Sequence, residues 1–148
     1  MTPDLAEIDA RIRASFARQS MMTTLGAEIA AVRAGEVEIV LPYSKRILQQ
    51  HEFIHAGAVA AIGDTACGFA ALTAMPREAA VLTTEFKINL LAPAKGERLR
   101  AIGRVVRAGK KLVITLGEVF AEEGSTRKQV ALITATMMVV DTGTGLRD

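Results

Sequence analysis

From Ala56 to Met75 the chain runs for twenty residues with a single charge, Asp64. A segment that is apolar around its whole circumference reads as a helix buried on every side, in a core or in a membrane. Roughly 20 apolar residues would also span a bilayer, so length alone permits either. Composition separates them. Eight of the twenty residues are Ala and three are Gly, which leaves little hydrophobicity per residue. Asp64 would sit near the bilayer centre at a cost of about 2.5–3.5 kcal/mol. Small side chains instead suit a helix closely wrapped by a sheet. The segment is expected to be a core helix, and no membrane partner is expected.

The rest of the chain must supply the cover. Pro3-Asp4 opens an amphipathic segment with Leu5, Ile8, Ile12 and Phe16 at helical spacing, which predicts a helix over Asp4 to Gln19. Ser20 to Leu25 breaks that pattern. Gly26 to Ala34 and Glu36 to Leu41 read as two strands around Gly35, ended by Pro42. Lys45 to Ile54 is a polar connection into the central helix. After Pro76, strand signals dominate. Leu82, Thr84, Phe86, Ile88 and Leu90 alternate with Thr83, Glu85, Lys87 and Asn89, the period of a half-buried strand. Arg98 to Val105, Lys111 to Ala121 and Lys128 to Val140 follow, joined by turns at Ala108-Gly109-Lys110 and Glu122 to Ser125.

The order is helix, two strands, buried helix, four strands, so the class is α+β. An antiparallel sheet of about five to six strands around one long central helix is the hotdog architecture. One domain is expected over residues 1–148, with the N-terminal helix and its connection over 1–24. Residues 142–148, rich in Gly and Thr, are expected to form a flexible tail.

A chain of 148 residues, half of them hydrophobic, can bury a full core. Its net charge of +2 argues neither way on nucleic acid and suits a phosphorylated small molecule equally well. Cys67 is the only cysteine, which excludes an internal disulfide framework and fits a reducing, cytoplasmic setting. It lies among Ala66, Gly68 and Phe69 and reads as a small buried residue. The first apolar-rich segment is interrupted by Arg11, Arg13 and Arg18, unlike a signal peptide.

Two features of the central segment suggest chemistry. His55, Ala56 and Gly57 stand where the helix begins, and first-turn amides lack intrahelical acceptors. Asp64 sits in the middle, where an ion without partners costs several kcal/mol; either chemistry uses it or it bonds a partner helix. His55 and Asp64 are nine residues apart, roughly 13 Å along a helix axis. One chain cannot easily bring them together. A two-fold dimer with antiparallel central helices can, so at least a dimer is expected. His51 and His55 imitate a metal-ligand pair without a third ligand, and no metal is expected.

His55-Ala56-Gly57, Asp64 nine residues after the His, and Pro93-Ala94-Lys95-Gly96 after a strand resemble the acyl-CoA thioesterases of the hotdog superfamily, of the phenylacetate-degradation (PaaI-like) type. The resemblance spans about Leu25 to Asp141. The family usually has His-Gly-Gly, and Ala56 departs from it at a position that contributes a backbone N–H. The resemblance implies hydrolysis of an acyl-CoA, with no cofactor beyond the CoA of the substrate, no nucleic-acid partner, and a homotetramer. Asp64 would be general base or nucleophile, and the Ala56 amide would polarise the thioester carbonyl. Gln49 would position substrate or water, and Thr83 would help hold the water. His55 would shape the turn, and Gly57 would border the substrate. Arg104, Arg107, Lys110 and Lys111 flank a hairpin and either grip the CoA phosphates or form a solvated tip.

The chemistry is coherent. Thioester hydrolysis builds negative charge on the carbonyl oxygen, and losing one preorganised donor costs about 10²–10³ in rate. Helix-start amides supply such donors without a metal, and an apolar wall makes a carboxylate a stronger base. A hydratase or dehydratase acting on acyl thioesters, or a non-catalytic acyl-CoA-binding protein, would use the same architecture.

Overall fold

A computed structural model describes residues 4–148. Asp4 caps the first helix, α1 (Leu5–Ala17), by accepting the Ala6 amide at 3.4 Å. Ile8 and Ile12 of α1 are buried, and Phe16 meets Phe69 with ring centroids 6.1 Å apart. Ser20–Leu25 is a second short helix, α2, where the sequence pattern had only a break. The Gln19 carbonyl accepts from Met22 and Thr23, and Gly26, left-handed at φ 80°, closes the turn.

The strands are β1 (Glu28–Arg33), β2 (Glu36–Pro42), β3 (Ala80–Leu90), β4 (Arg98–Ala108), β5 (Leu112–Glu123) and β6 (Thr126–Val140). They form one antiparallel sheet in the order β1-β2-β4-β5-β6-β3. Pro42 pairs with Arg98 as the last residue of β2. Between β2 and β3 the chain forms a 3-10 turn (Lys45–Ile47) and then the central helix, α3 (Ala56–Thr73). α3 crosses from the β2 side to the far edge of the sheet, so β3 lands beside β6 as an edge strand.

The core lies between α3 and the sheet. Val59, Ile62, Ala66, Phe69 and Leu72 of the helix meet Ile39, Leu41, Leu99, Val113, Ile133 and Met137, at about 1.5–3 kcal/mol for each large side chain removed from water. Contact is at backbone range. A Cβ at Gly103 would collide with the Ala66 carbonyl and the Cys67 amide, and one at Gly117 would stand 2.8 Å from Cys67 Sγ. This is why α3 is rich in Ala and Gly. Among the described residues it is the only helix with the length and hydropathy of a membrane span, and it is mostly buried inside the fold.

The outward face of the sheet carries a charge ladder. Arg100 bridges Glu38 and Glu122, and Arg104 bridges Glu36 and Glu118, while Arg98 and Arg127 also reach Glu122. The Arg100 guanidinium, with Arg98 and Arg127, holds the Glu122 carboxyl down to about 2 against the opposing effect of burial. After β6, Thr142–Thr144 makes a 3-10 turn and the chain folds back. The Arg147 carbonyl accepts from Arg18, and Asp148 accepts from Ser15 and from the Val81 amide.

Candidate active site

The start of α3 is pinned from both sides. The His55 amide donates to the Ile47 carbonyl at 2.8 Å, and the Ile54 amide donates to Ala94 at 2.9 Å. Ala94 belongs to the Pro93–Gly96 segment, so that motif holds the entry to the helix. His55 Nδ1 then accepts the Gly57 amide at 2.7 Å. An accepting Nδ1 is the unprotonated nitrogen of a neutral imidazole. Gly57 is required for this cap, because a Cβ there would stand 2.9 Å from Nδ1. The Ala58 and Val59 amides go to the His55 carbonyl. The Ala56 amide has no acceptor among the described residues. It borders an open cleft of about 510 Å³ together with Gln49, Phe53, Leu90, Leu91 and Pro93.

Asp64 lies elsewhere, in a pocket of about 100 Å³ shared with Thr83, Phe69, Val81, Gln19 and Asp148. Thr83 Oγ1 donates to Asp64 Oδ1 at 2.8 Å. Burial raises the Asp64 pKa above the ordinary aspartate value, and the Thr83 hydrogen bond opposes the rise. The carboxylate is therefore a stronger base than a solvated one.

A register shift delivers Thr83 to Asp64. In an antiparallel pair, directly opposed residues share a face. Thr83 opposes Met137, while Phe86, Ile88 and Leu90 oppose Ala135, Ile133 and Ala131. All four partners are buried toward α3. The pairing slips between Thr83 and Glu85, at a bulge on Thr84. The simple alternation put Leu82 with Phe86 and Thr83 with Glu85. The bulge reverses this for the first part of the strand, turning Leu82 outward and Thr83 inward.

The other anticipated residues divide. Gln49 reaches the Ala56 cleft, with its Oε1 accepting the His51 amide. Arg104 is engaged by Glu36 at 2.9 Å and Glu118 at 2.7 Å, so a phosphate there would have to break two ion pairs. Arg107, Lys110 and Lys111 are exposed at the β4–β5 hairpin. Met137 pairs with both Val113 and Thr83, so this hairpin lies at the Thr83 end of the sheet, opposite the Ala56 cleft. Cys67 is buried and its thiol is pushed up to about 11, mainly by desolvation. No motif pointed to Gln19 or Asp148 as pocket residues, since each arrives by long-range folding.

An unspent helix-start amide and a carboxylate of enhanced basicity are the two groups that acyl transfer to water requires, here carried on the single long helix of a hotdog sheet. That architecture is the hotdog fold. The thioesterase superfamily profile matches residues 51–128, and the chain belongs to that superfamily. Its structure is similar to that of a thioesterase family protein from Silicibacter pomeroyi, with 43% identity and a TM-score of 0.88 over 90% of this chain and 98% of that one. A Thermoplasma volcanium protein that carries an esterase name is 31% identical over 97 residues, 66% of this chain and 72% of its own. The fold is also that of the E. coli PaaI protein from the phenylacetic acid degradation operon, with 20% identity and a TM-score of 0.82 over 92% and 95% of the two chains.

Proposed function

We propose that the protein hydrolyses an acyl-CoA thioester to a free acid and CoA, at two equivalent sites shared across a two-fold homodimer. One observation carries this reading. The free Ala56 amide and the Thr83–Asp64 pair occupy separate cavities at opposite ends of β3. β3 is an eleven-residue edge strand with Leu82, Phe86 and Leu90 exposed, and a long apolar edge calls for a partner. Antiparallel pairing with a second β3 about a two-fold axis sets the Thr83 end of one strand against the Leu90 end of the other. Asp64 of one protomer then faces the partner's Ala56 amide.

In this arrangement Asp64 removes a proton from water as the hydroxide attacks the thioester carbonyl. The partner's Ala56 N–H stabilises the oxyanion, and collapse expels the CoA thiolate, which recovers the proton from Asp64. Direct attack by Asp64, giving a mixed anhydride that water then cleaves, uses the same geometry. Thr83 holds the carboxylate or its water, Gln49 positions the thioester, and His55 fixes the helix start. Arg107, Lys110 and Lys111 are the cations left to meet the CoA phosphates. The mechanism invokes no cofactor. A tetramer built from two such dimers, in the cytoplasm, is the assembly this reading favours.

A panel of acyl-CoAs incubated with the purified protein, with free thiol monitored, tests the activity. Thiol release that falls at least about 100-fold in Asp64→Asn supports the proposal. Consumption of an enoyl-CoA without thiol release would replace it with hydration.

A further inference from the structure

The pocket around Asp64 contains two polar groups that the hydrolytic step does not use. Asp148 returns from beyond the end of β6, and Gln19 stands between α1 and α2. The Asp148 carboxylate is held firmly: Oδ1 accepts from Ser15 Oγ at 3.0 Å and Oδ2 from the Val81 amide at 2.6 Å. Ser15 is itself buried. A carboxylate has about four acceptor positions, so these bonds orient the group and leave acceptor capacity free. The Gln19 carboxamide has no hydrogen-bond partner among the described residues and offers both a donor and an acceptor. Phe69 and Val81 supply the apolar part of the wall.

Resting on the thioesterase reading of this site, we propose that Asp148 and Gln19 select the acyl group: the pocket takes neutral acyl chains whose far end is a hydrogen-bond donor and rejects chains ending in a carboxylate. The thioester carbonyl must lie between Asp64 and the partner's Ala56 amide. In this reading the group behind it enters the cavity that Asp64 borders. A hydroxyl or amide at its end can donate to Asp148 and exchange hydrogen bonds with Gln19. A carboxylate there would meet two like charges, Asp64 and Asp148, in a confined space. Arg11 is drawn first toward Asp148 and then toward Glu78, and its guanidinium donates to the Ala79 carbonyl, so it offsets part of the Asp148 charge and leaves that of Asp64. A site built for a donor discriminates against an end that cannot donate, because the half-buried Asp148 and Gln19 are then left unmatched.

The test uses three thioesters of equal length, hexanoyl-, 6-hydroxyhexanoyl- and adipoyl-CoA. Two stable thioethers, S-(6-hydroxyhexyl)-CoA and S-(5-carboxypentyl)-CoA, are measured by calorimetry. The wild type is expected to favour the hydroxy compound over the dicarboxylic one by at least about 100-fold in kcat/KM. Asp148→Asn should shrink that ratio at least tenfold, mainly through KM, and Gln19→Leu should lower the preference for hydroxyhexanoyl over hexanoyl. Thermal melts confirm that each variant is folded. A wild-type ratio near one, or ratios that neither variant moves, would overturn the proposal. Absence of thiol release from every ester would sink the thioesterase reading alone, and the relative affinities of the thioethers would still decide the selectivity.

Discussion

Asp64 keeps one hydrogen bond, from Thr83, against a burial that raises its pKa. The native state therefore holds the proton more tightly than the unfolded chain does. Between the ordinary aspartate value, about 3.9, and its own raised value, the folded protein binds more protons. Stability contributed by this group falls as pH rises through that window and stays lost above it. Two outcomes are expected. The acid limb of kcat/KM should lie above the ordinary aspartate range, since the base must be ionised. Asp64→Asn, nearly isosteric, should lose at least about 100-fold in activity while its denaturation midpoint at pH 7 equals or exceeds that of wild type. A variant that is both active and less stable would remove Asp64 from the mechanism and reassign it to structure.

At the scale of elements, α3 and β4 touch through backbone, and the helix can present both its start and its middle to substrate only while that contact holds. Gly103→Ala places a methyl group against the Ala66 carbonyl. Backbone cannot yield as a flexible side chain would, so the substitution should cost about 3 kcal/mol, the upper range for overpacking, measured by urea unfolding. A cost below about 0.5 kcal/mol would show that α3 shifts freely on the sheet. Apart from the short helix α2, the order of elements and the identity of the buried helix were legible in sequence, because each depends on local periodicity. The bulge on β3 was not. Leu82 and Thr83 exchange faces through pairing with Met137 and Met138, more than fifty residues away, and no window along the chain contains that information.

In the proposed dimer, the two half-sites of each protomer lie at opposite ends of one edge strand. Two differently damaged chains should consequently rescue each other. One carries Asp64→Asn. The other carries Ala56→Pro, which deletes the amide at the first helical position, where proline is tolerated. His55 already has the extended conformation (φ −58°, ψ 136°) that a following proline favours. Each homodimer should be nearly inactive. A tagged heterodimer holds one site with both groups intact and one with neither, and should recover up to about half of wild-type activity. The melt of the proline variant must first match wild type. With that established, a heterodimer as inactive as its parents would place both groups in one protomer's site, or in none.

Sequence by itself determined the buried Ala-rich helix, its lone carboxylate, the His55–Gly57 start and an antiparallel sheet of about five to six strands. These follow from charge, side-chain size and period along a continuous stretch. The separation of His55 from Asp64 was also legible, because helical rise converts nine residues into a distance. Tertiary structure alone decided which face Thr83 presents, that Arg104 is spent on Glu36 and Glu118, and that Gln19 and Asp148 close the pocket of Asp64. The physical reason is common to all three. A strand's face and a charge's partner depend on register with distant strands, and a pocket's wall depends on segments that meet only after the chain has folded.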